Sequence, residues 1–144
     1  KPSPERAAAH GVRFVELDVL LRESDVVSLH LALTPETRQL LGTRQLDQMK
    51  PGAVIVNTAR AELVDEAALI ERLGSGRIAG AGIDVFTAEP LPKNHLYAGI
   101  ENVVLTPHVA YNTTDAAHAL LDIAITNLTD FFAGKLSNAV TAGG

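Results

Sequence analysis

The chain has 144 residues, a formal net charge of −5 at pH 7 and no cysteine. This length supports one compact core, and an acidic chain without a cluster of Lys and Arg is not expected to bind nucleic acid. Because the composition also excludes a disulfide framework, a thiolate metal site and a membrane-spanning apolar stretch, we expect a cytoplasmic protein without metal or membrane contacts.

The first fifty residues alternate short helical and strand-like segments. Ser3 followed by Pro4 is typical of a helix start, and Gly11 is typical of its end. Hydrophobic spacing then predicts, in order, a strand at 12–15, a helix at 17–23, a strand at 25–31, a helical segment near 40–41 and, capped by Thr43, another at 46–49.

The segment from Gly52 to Arg60 is an apolar run that stops at a polar tip. Ala53 to Val56 is rich in β-branched residues and shows no alternation, which predicts a strand buried on both faces of a helix-covered parallel sheet. Arg60 follows the carboxyl end of this strand, where ligands bind in open α/β sheets. Its planar donors suit a carboxylate or phosphate, although an ion pair with Glu62 or Asp65 explains the position equally well.

The second half of the chain continues the alternation up to a long final helix. Asp65 predicts the N-cap of a helix that ends near Gly74. The remaining segments are predicted as a strand at 79–85, a functional loop at 86–102, a strand at 103–106, a helix from Thr114 to about Ala133 and a small polar tail at 134–144.

The alternation of strands and helices predicts an α/β fold, namely a doubly wound parallel sheet with helices on both faces. No G-x-G-x-x-G motif follows a first strand, and the chain contains neither G-x-S-x-G nor a P-loop. Gly80 and Gly82 fall inside a predicted strand, where they are expected to permit close backbone packing.

Four polar side chains lie at or just beyond the predicted strand ends: Arg60, Asp84, Glu89 and His108. Histidine is the natural proton-transfer group near neutral pH, and a carboxylate beside His108 would fix its tautomer and favour the imidazolium. An arginine at the same edge would anchor an anionic substrate. Each residue also has a structural interpretation, such as an Asx turn for Asp84 or a solvated acid for Glu89. Their location at one edge of the predicted sheet favours a functional site instead.

Four linked motifs resemble those of the D-isomer-specific 2-hydroxyacid dehydrogenases. They are residues 21–30 (LRESDVVSLH), residues 49–65 with MKPG, NTAR and LVD, residues 82–90 with GIDVF and EP, and residues 106–108 (TPH). The resemblance covers nearly the whole chain in the right order. It implies a Rossmann fold, a small 2-hydroxy or 2-oxo acid substrate, and NAD as the cofactor, with NADP as the alternative.

The resemblance also implies a catalytic role for three of the polar residues. Arg60 would bind the substrate carboxylate, His108 would be the acid/base, and Glu89 would be the carboxylate partner of His108. Oxidation of a 2-hydroxy acid removes a proton from the hydroxyl and a hydride from the same carbon. His108 would therefore take the proton while the nicotinamide takes the hydride.

Cofactor contacts are implied at the same edge. Asp84 would bond the nicotinamide carboxamide, helped by the backbone of Thr58 and Ala59, and Leu31 would lie against the adenosine side. The cofactor-binding residues implied by the resemblance are Leu31, Thr58, Ala59, Arg60, Asp84 and His108.

Two positions depart from the family pattern. Ala32 stands where members usually have Pro, which loosens one wall of the cofactor site. Ala61 stands where members usually have Gly after the arginine. If position 61 needs a positive φ, Ala there costs about 1 kcal/mol or more and shifts the tip that carries Arg60.

The family's first strand, its glycine loop and most of its substrate domain would lie before Lys1. Residues 1–144 are therefore interpreted as the catalytic half of an NAD-binding Rossmann domain that lacks its first βαβ unit. The helix at 114–133 is expected to dock on the substrate domain, and we expect a homo-oligomer, such as a dimer, and an inactive isolated chain.

A second function stays open on the sequence alone. A nucleotide-sensing or co-repressor-like binding module would keep the fold, and a co-repressor branch resembles the family with the Arg, Glu and His retained. The other histidines considered, His10, His95 and His118, are interpreted as solvated or capping residues rather than ligands.

Overall fold

The computed structural model describes residues 3–139, which contain five α-helices and one four-stranded sheet. The helices are α1 (Pro4–His10), α2 (Leu17–Glu23), α3 (Thr43–Gln48), α4 (Glu66–Gly74) and α5 (Thr114–Phe132). The strands are β1 (Val26–Leu29), β2 (Val54–Asn57), β3 (Gly80–Ile83) and β4 (Val103–Leu105), and 3-10 helices lie at Ala61–Leu63 and Leu96–Gly99. The predicted α/β fold is confirmed.

The four strands are parallel and lie in chain order, β1-β2-β3-β4. Val27 pairs with Ile55, Ile55 with Ala81, and Ala81 with Val103. Because neighbouring strands run in one direction, the loops after β2, β3 and β4 emerge side by side at the same edge of the sheet. The register therefore brings the polar residues that follow these strands to one edge.

The core of the sheet-containing unit joins the strands to α2, α3 and α4. Leu21 of α2, Leu69 of α4 and Ile55 of β2 are fully buried, and each side chain of this size stabilises the fold by about 1.5–3 kcal/mol. Val54 and Val56 are only half-buried. The face of β2 that carries Val54 and Val56 is thus less buried than the predicted burial on both faces. An apolar run indicates that a strand is buried, but not how much of each face neighbouring elements cover.

Three local predictions are wrong. Residues 12–15 form no strand, because a strand needs a hydrogen-bonding neighbour and the sheet ends with β1 on that side. The helical segment near 40–41 is instead a series of turns, after which Leu41 makes an isolated parallel bridge with Val64. Thr43 is the first residue of α3, and Gly42 is the N-cap.

Most of the predicted helix ends are confirmed. The Ser3 side chain accepts the N–H of Arg6, and Gly11 ends α1 with a φ of 61°. The Asp65 side chain accepts the N–H of Ala68 at 3.1 Å and so caps α4. These bonds satisfy N–H groups that the first turn of a helix leaves without a partner.

The strand glycines differ in what they permit. A Cβ atom added at Gly80 would lie 3.2 Å from the carbonyl oxygen of Asn102, so a close backbone approach explains this glycine. At Gly82 the nearest atoms, the methyl carbons of Val56, would be 3.9 Å away, which is ordinary contact. The expected close packing therefore holds at the first glycine only.

The described chain divides after His108 into two compact units. The second unit contains α5, whose N-cap Thr113 accepts the N–H of Ala116 at 3.1 Å and none of whose residues is buried. No helix of residues 3–139 combines the length and apolarity needed to cross a bilayer. Of the predicted tail at 134–144, residues 140–144 lie outside the described residues.

Candidate active site

The turn after β2 is held by the buried side-chain amide of Asn57, which is 2% exposed. Its Nδ2 donates to the carbonyl oxygen of Arg60 at 2.9 Å, and its Oδ1 accepts the N–H of Ala59 at 3.1 Å. The Arg60 guanidinium donates to the carbonyl oxygen of Ala59 at 2.5 Å. Within the described residues it forms no ion pair, so the alternative pairing with Glu62 or Asp65 is wrong.

The residue after Arg60 does not need glycine. Ala61 begins the 3-10 helix Ala61–Leu63 and is not among the residues with a positive φ. The conditional cost of about 1 kcal/mol for an alanine in the left-handed region therefore does not arise. The departure from the family pattern leaves the backbone of this turn unstrained.

A cavity of about 490 Å³ lies beside this turn and brings together four of the predicted cofactor residues. Its lining consists of His30, Leu31, Ala32, Leu33, Thr58, Ala59 and Arg60. Leu31 is 43% exposed, and its apolar surface is available to a ligand. The size lies within the usual range for small-molecule sites, and the apolar wall beside one cation suits part of a dinucleotide.

Asp84 follows β3 and is buried, with 2% of its surface exposed. It accepts a hydrogen bond of 2.5 Å from the hydroxyl of Thr106, which follows β4, and its N–H donates to the carbonyl oxygen of Asn57 at 3.0 Å. Buried carboxylates require such partners. No role was predicted for Thr106, whose only signal in the sequence was a hydroxyl two positions before His108.

Glu89 and His108 form a hydrogen-bonded pair. The Nδ1 atom of His108 lies 2.9 Å from Oε2 and 3.1 Å from Oε1 of Glu89. An ionised carboxylate only accepts, so Nδ1 carries the hydrogen and Nε2 is left for another partner. The hydrogen bond from His108 and a second one from the Phe86 N–H hold the pKa of Glu89 below its ordinary value.

The backbone of His108 adopts the left-handed region, with a φ of 57°. Its N–H donates to the carbonyl oxygen of Thr106 at 3.0 Å, which tightens the chain just after β4. This conformation is uncommon for residues other than glycine and is often found at functional sites. The sequence does not predict this conformation, because the torsion depends on the contacts that hold His108 in place.

A second cavity, of about 400 Å³, lies beside this pair. Its lining consists of Phe86, Glu89, Pro90, Leu91, Leu105, Thr106, Pro107 and His108. Most of these side chains are apolar, and the Glu89–His108 pair supplies the only ionisable groups among them. The cavity therefore has the composition of a small-molecule site, with a few polar groups set in an apolar wall.

His95 lies away from these cavity linings. Its Nδ1 accepts the N–H of Tyr97 at 3.3 Å, and its Nε2 lies 3.3 Å from Oε1 of Glu66. The prediction of a capping residue is confirmed for this histidine, which precedes the 3-10 helix Leu96–Gly99. No group of three potential metal ligands lies close together within residues 3–139.

The site can be compared with known proteins. Residues 1–110 match the sequence model described as D-isomer specific 2-hydroxyacid dehydrogenase, NAD binding domain. The glycerate dehydrogenase of Methylorubrum extorquens is 44% identical over 130 residues, which are 89% of this chain and 41% of that protein.

Two solved structures show the same fold. The D-isomer specific 2-hydroxyacid dehydrogenase of Lactobacillus delbrueckii ssp. bulgaricus, in its NAD complex, has a TM-score of 0.85 at 33% identity, covering 98% of this chain and 46% of that one. The enzyme of the same description from Xanthobacter autotrophicus Py2, in complex with NADPH and MES, has a TM-score of 0.77 at 39% identity, covering 87% and 51%. The chain therefore spans at most about half the length of these three relatives.

Proposed function

The chain belongs to the D-isomer-specific 2-hydroxyacid dehydrogenase family, and from this premise we propose that the protein interconverts a D-2-hydroxy acid and a 2-oxo acid with NAD(P). The observation that carries the proposal is the Glu89–His108 pair, with Nδ1 of the imidazole 2.9 Å from the carboxylate. An imidazole held in this way at the end of a strand suits proton transfer. The NAD and NADPH complexes of the two structural relatives support the choice of cofactor.

His108 is proposed as the acid/base. In reduction its imidazolium donates a proton from Nε2 to the carbonyl oxygen of the 2-oxo acid, and in oxidation the neutral imidazole takes the hydroxyl proton. The nicotinamide, when bound, supplies or accepts the hydride. Glu89 holds the ring through Nδ1 and compensates the positive charge that the imidazolium carries during the reductive half.

Arg60 is proposed as the substrate anchor. Its guanidinium donates to the carbonyl oxygen of Ala59 and has no carboxylate partner within the described residues, so its remaining donors are available for the two oxygens of a substrate carboxylate. Arg60 follows β2 and His108 follows β4, two strands further along the sheet. Two strand spacings amount to roughly 10 Å, which the long arginine side chain and a small acid can bridge together.

Cofactor binding is proposed at the same edge of the sheet. Leu31 would face the adenosine side, the backbone of Thr58 and Ala59 would contact the nicotinamide, and Asp84 would bond its carboxamide. The cavity of about 490 Å³ that Leu31, Thr58 and Ala59 share supports this assignment, as do the carboxyl ends of the parallel strands. Arg60 and His108 would complete the site from the substrate side.

The remaining proposals concern assembly and location. Residues 1–144 would belong to the NAD-binding domain, in which the helix at 114–133 docks its apolar residues on a substrate domain and residues 134–144 form a tail. A homo-oligomer, such as a dimer, is supported by the exposure of Leu120, Leu121 and Leu128 on α5.

A cytoplasmic location agrees with the proposed use of NAD(P). The 144 residues contain no G-x-G-x-x-G loop for the pyrophosphate, so the chain alone is proposed to be inactive.

The test is His108→Gln in the full-length protein. Reduction of glyoxylate, hydroxypyruvate and pyruvate is followed with NADH and with NADPH, and cofactor binding is measured by calorimetry. We expect turnover to fall by about 100-fold or more, because the variant cannot transfer a proton, while the cofactor still binds. Cofactor binding without turnover by the parent protein would favour a nucleotide-sensing or co-repressor-like module instead.

A further inference from the structure

The amide of Asn57 closes the turn that carries Arg60, and it is the only side chain that the described hydrogen bonds place on both backbone groups of that turn. Nδ2 donates to the Arg60 carbonyl oxygen and Oδ1 accepts the Ala59 N–H. A carboxamide donates through its nitrogen and accepts through its oxygen, so one side chain can make both bonds. Its two bonds span residues 59 and 60 together.

The position of Asn57 gives these bonds their rigidity. Asn57 is the last residue of β2, pairs with Leu29 on one side and with Ile83 on the other, and is 2% exposed. Its own carbonyl oxygen accepts the N–H of Asp84 at 3.0 Å. The amide is thus fixed by the sheet itself, and water cannot easily replace it at a buried site.

Resting on the proposed function, we propose that Asn57 is a positioning residue that sets the direction of the Arg60 guanidinium toward the substrate carboxylate. It touches neither substrate nor cofactor and acts through the backbone of residues 59 and 60. The exposed Arg60 side chain can adopt many rotamers. The orientation of its backbone therefore determines which positions the guanidinium can reach. A displacement of about 1 Å at such an anchor can cost about 100-fold in rate.

A matched control is available at the opposite edge of the sheet. Asn102 precedes β4, and its Nδ2 also donates to backbone carbonyl oxygens, those of Ala79 at 3.1 Å and of Ile78 and Leu73 at 3.4 Å each. Asn102→Ala therefore removes a comparable set of hydrogen bonds from a side-chain amide, at the end of the strands opposite to Arg60. It should lower stability without changing turnover.

The experiment is a double-mutant cycle in the full-length protein. The variants are Asn57→Ala, Arg60→Ala, their combination and Asn102→Ala, and each is assayed for kcat/KM in 2-oxo acid reduction and for its denaturant midpoint. We expect Asn57→Ala to lower kcat/KM by about 10- to 100-fold with Arg60 present, and by no more than about twofold without it. Asn102→Ala should retain parental kcat/KM.

Two outcomes would overturn the inference while leaving the proposed function intact. One is an equal loss from Asn57→Ala in both backgrounds, which would mean a general effect on folding, and the other is parental kcat/KM in Asn57→Ala. Parental turnover by Arg60→Ala would instead overturn the proposed role of Arg60 itself. If Arg60→Ala turns over too slowly for kinetics, the same double-mutant cycle is measured as the dissociation constant of oxalate, a dicarboxylate, from the NADH complex of each variant.

Discussion

The hydrogen-bonding capacity of each side chain accounts for its place in the site. Asn57 can donate and accept, so it closes a turn; Glu89 only accepts, so it fixes which nitrogen of His108 carries the hydrogen. Arg60 offers only donors and, within the described chain, has no carboxylate to receive them. Among these residues, the Arg60 guanidinium and the Nε2 atom of His108 can therefore form hydrogen bonds with a ligand.

Arg60→Lys should lower kcat/KM by about 100-fold, because an ammonium cannot supply the paired, coplanar donors of a guanidinium. The affinity for NADH should change little, since the substitution preserves the charge and the backbone turn. Steady-state kinetics and cofactor titration of the full-length variant measure the two effects separately. Equal losses in cofactor affinity and turnover would point to a disturbed fold rather than to substrate binding.

Glu89→Gln should move the reductive activity to lower pH. The hydrogen bond from His108 lowers the pKa of Glu89, so the parent keeps a carboxylate there even in mildly acidic solution. A neutral amide no longer compensates the positive charge of the imidazolium that reduction requires, so reductive activity should extend less far toward high pH than in the parent. The pH profile of kcat/KM is the measurement, and a profile that overlays the parent's would remove Glu89 from the mechanism.

The elements differ in how strongly their ends are tied to the core. The Asp65 cap begins α4, whose Ala68, Leu69 and Leu73 are buried, whereas the Ser3 cap begins α1, which buries no residue. Asp65 also donates its N–H to the carbonyl oxygen of Leu41 at 3.0 Å. Losing one cap should therefore affect global unfolding, and losing the other should only fray a helix end.

Asp65→Ala should lower the free energy of unfolding by about 1 kcal/mol, the usual contribution of a side-chain N-cap. Ser3→Ala is the matched control, with an expected change near zero. Urea denaturation of both variants gives the comparison through the midpoints at constant slope. Similar losses in the two variants would mean that α1 unfolds together with the sheet-containing unit.

At the scale of the whole molecule, the sheet edge with its polar side chains and the apolar helix α5 lie in different units. The unit up to His108 carries the sheet edge with Arg60, Asp84 and His108. The second unit carries α5, on which Leu120 is 60% exposed and Phe131 is 68% exposed. Exposed apolar residues in this number are typical of a surface that contacts another domain or chain.

The purified 144-residue chain should self-associate through α5. Replacing Leu121 and Leu128 with Glu should reduce the mass measured by light scattering, because charged groups resist burial in an apolar contact. His118→Glu is the control, since it adds a charge to the same helix at an already polar, exposed position. A parent chain that is monodisperse and monomeric at high concentration would contradict the prediction.

The sequence by itself determined the alternation of strands and helices, the main helix caps and the strand-end location of Arg60, Asp84 and His108. These features depend on local spacing and on residue chemistry, which are readable one segment at a time. The pairing of Glu89 with His108, 19 residues apart, was implied only by the family resemblance, and the structure shows the contact. The contact of Thr106 with Asp84, 22 residues apart, was revealed by the tertiary structure alone.

The same distinction explains the errors. Residues 12–15 have the composition of a strand, but a strand exists only beside a hydrogen-bonding neighbour. The closing of the turn by Asn57 and the left-handed backbone of His108 were likewise invisible in the sequence. Both depend on where the sheet register and the long loop bring their partners, and no local pattern encodes that arrangement.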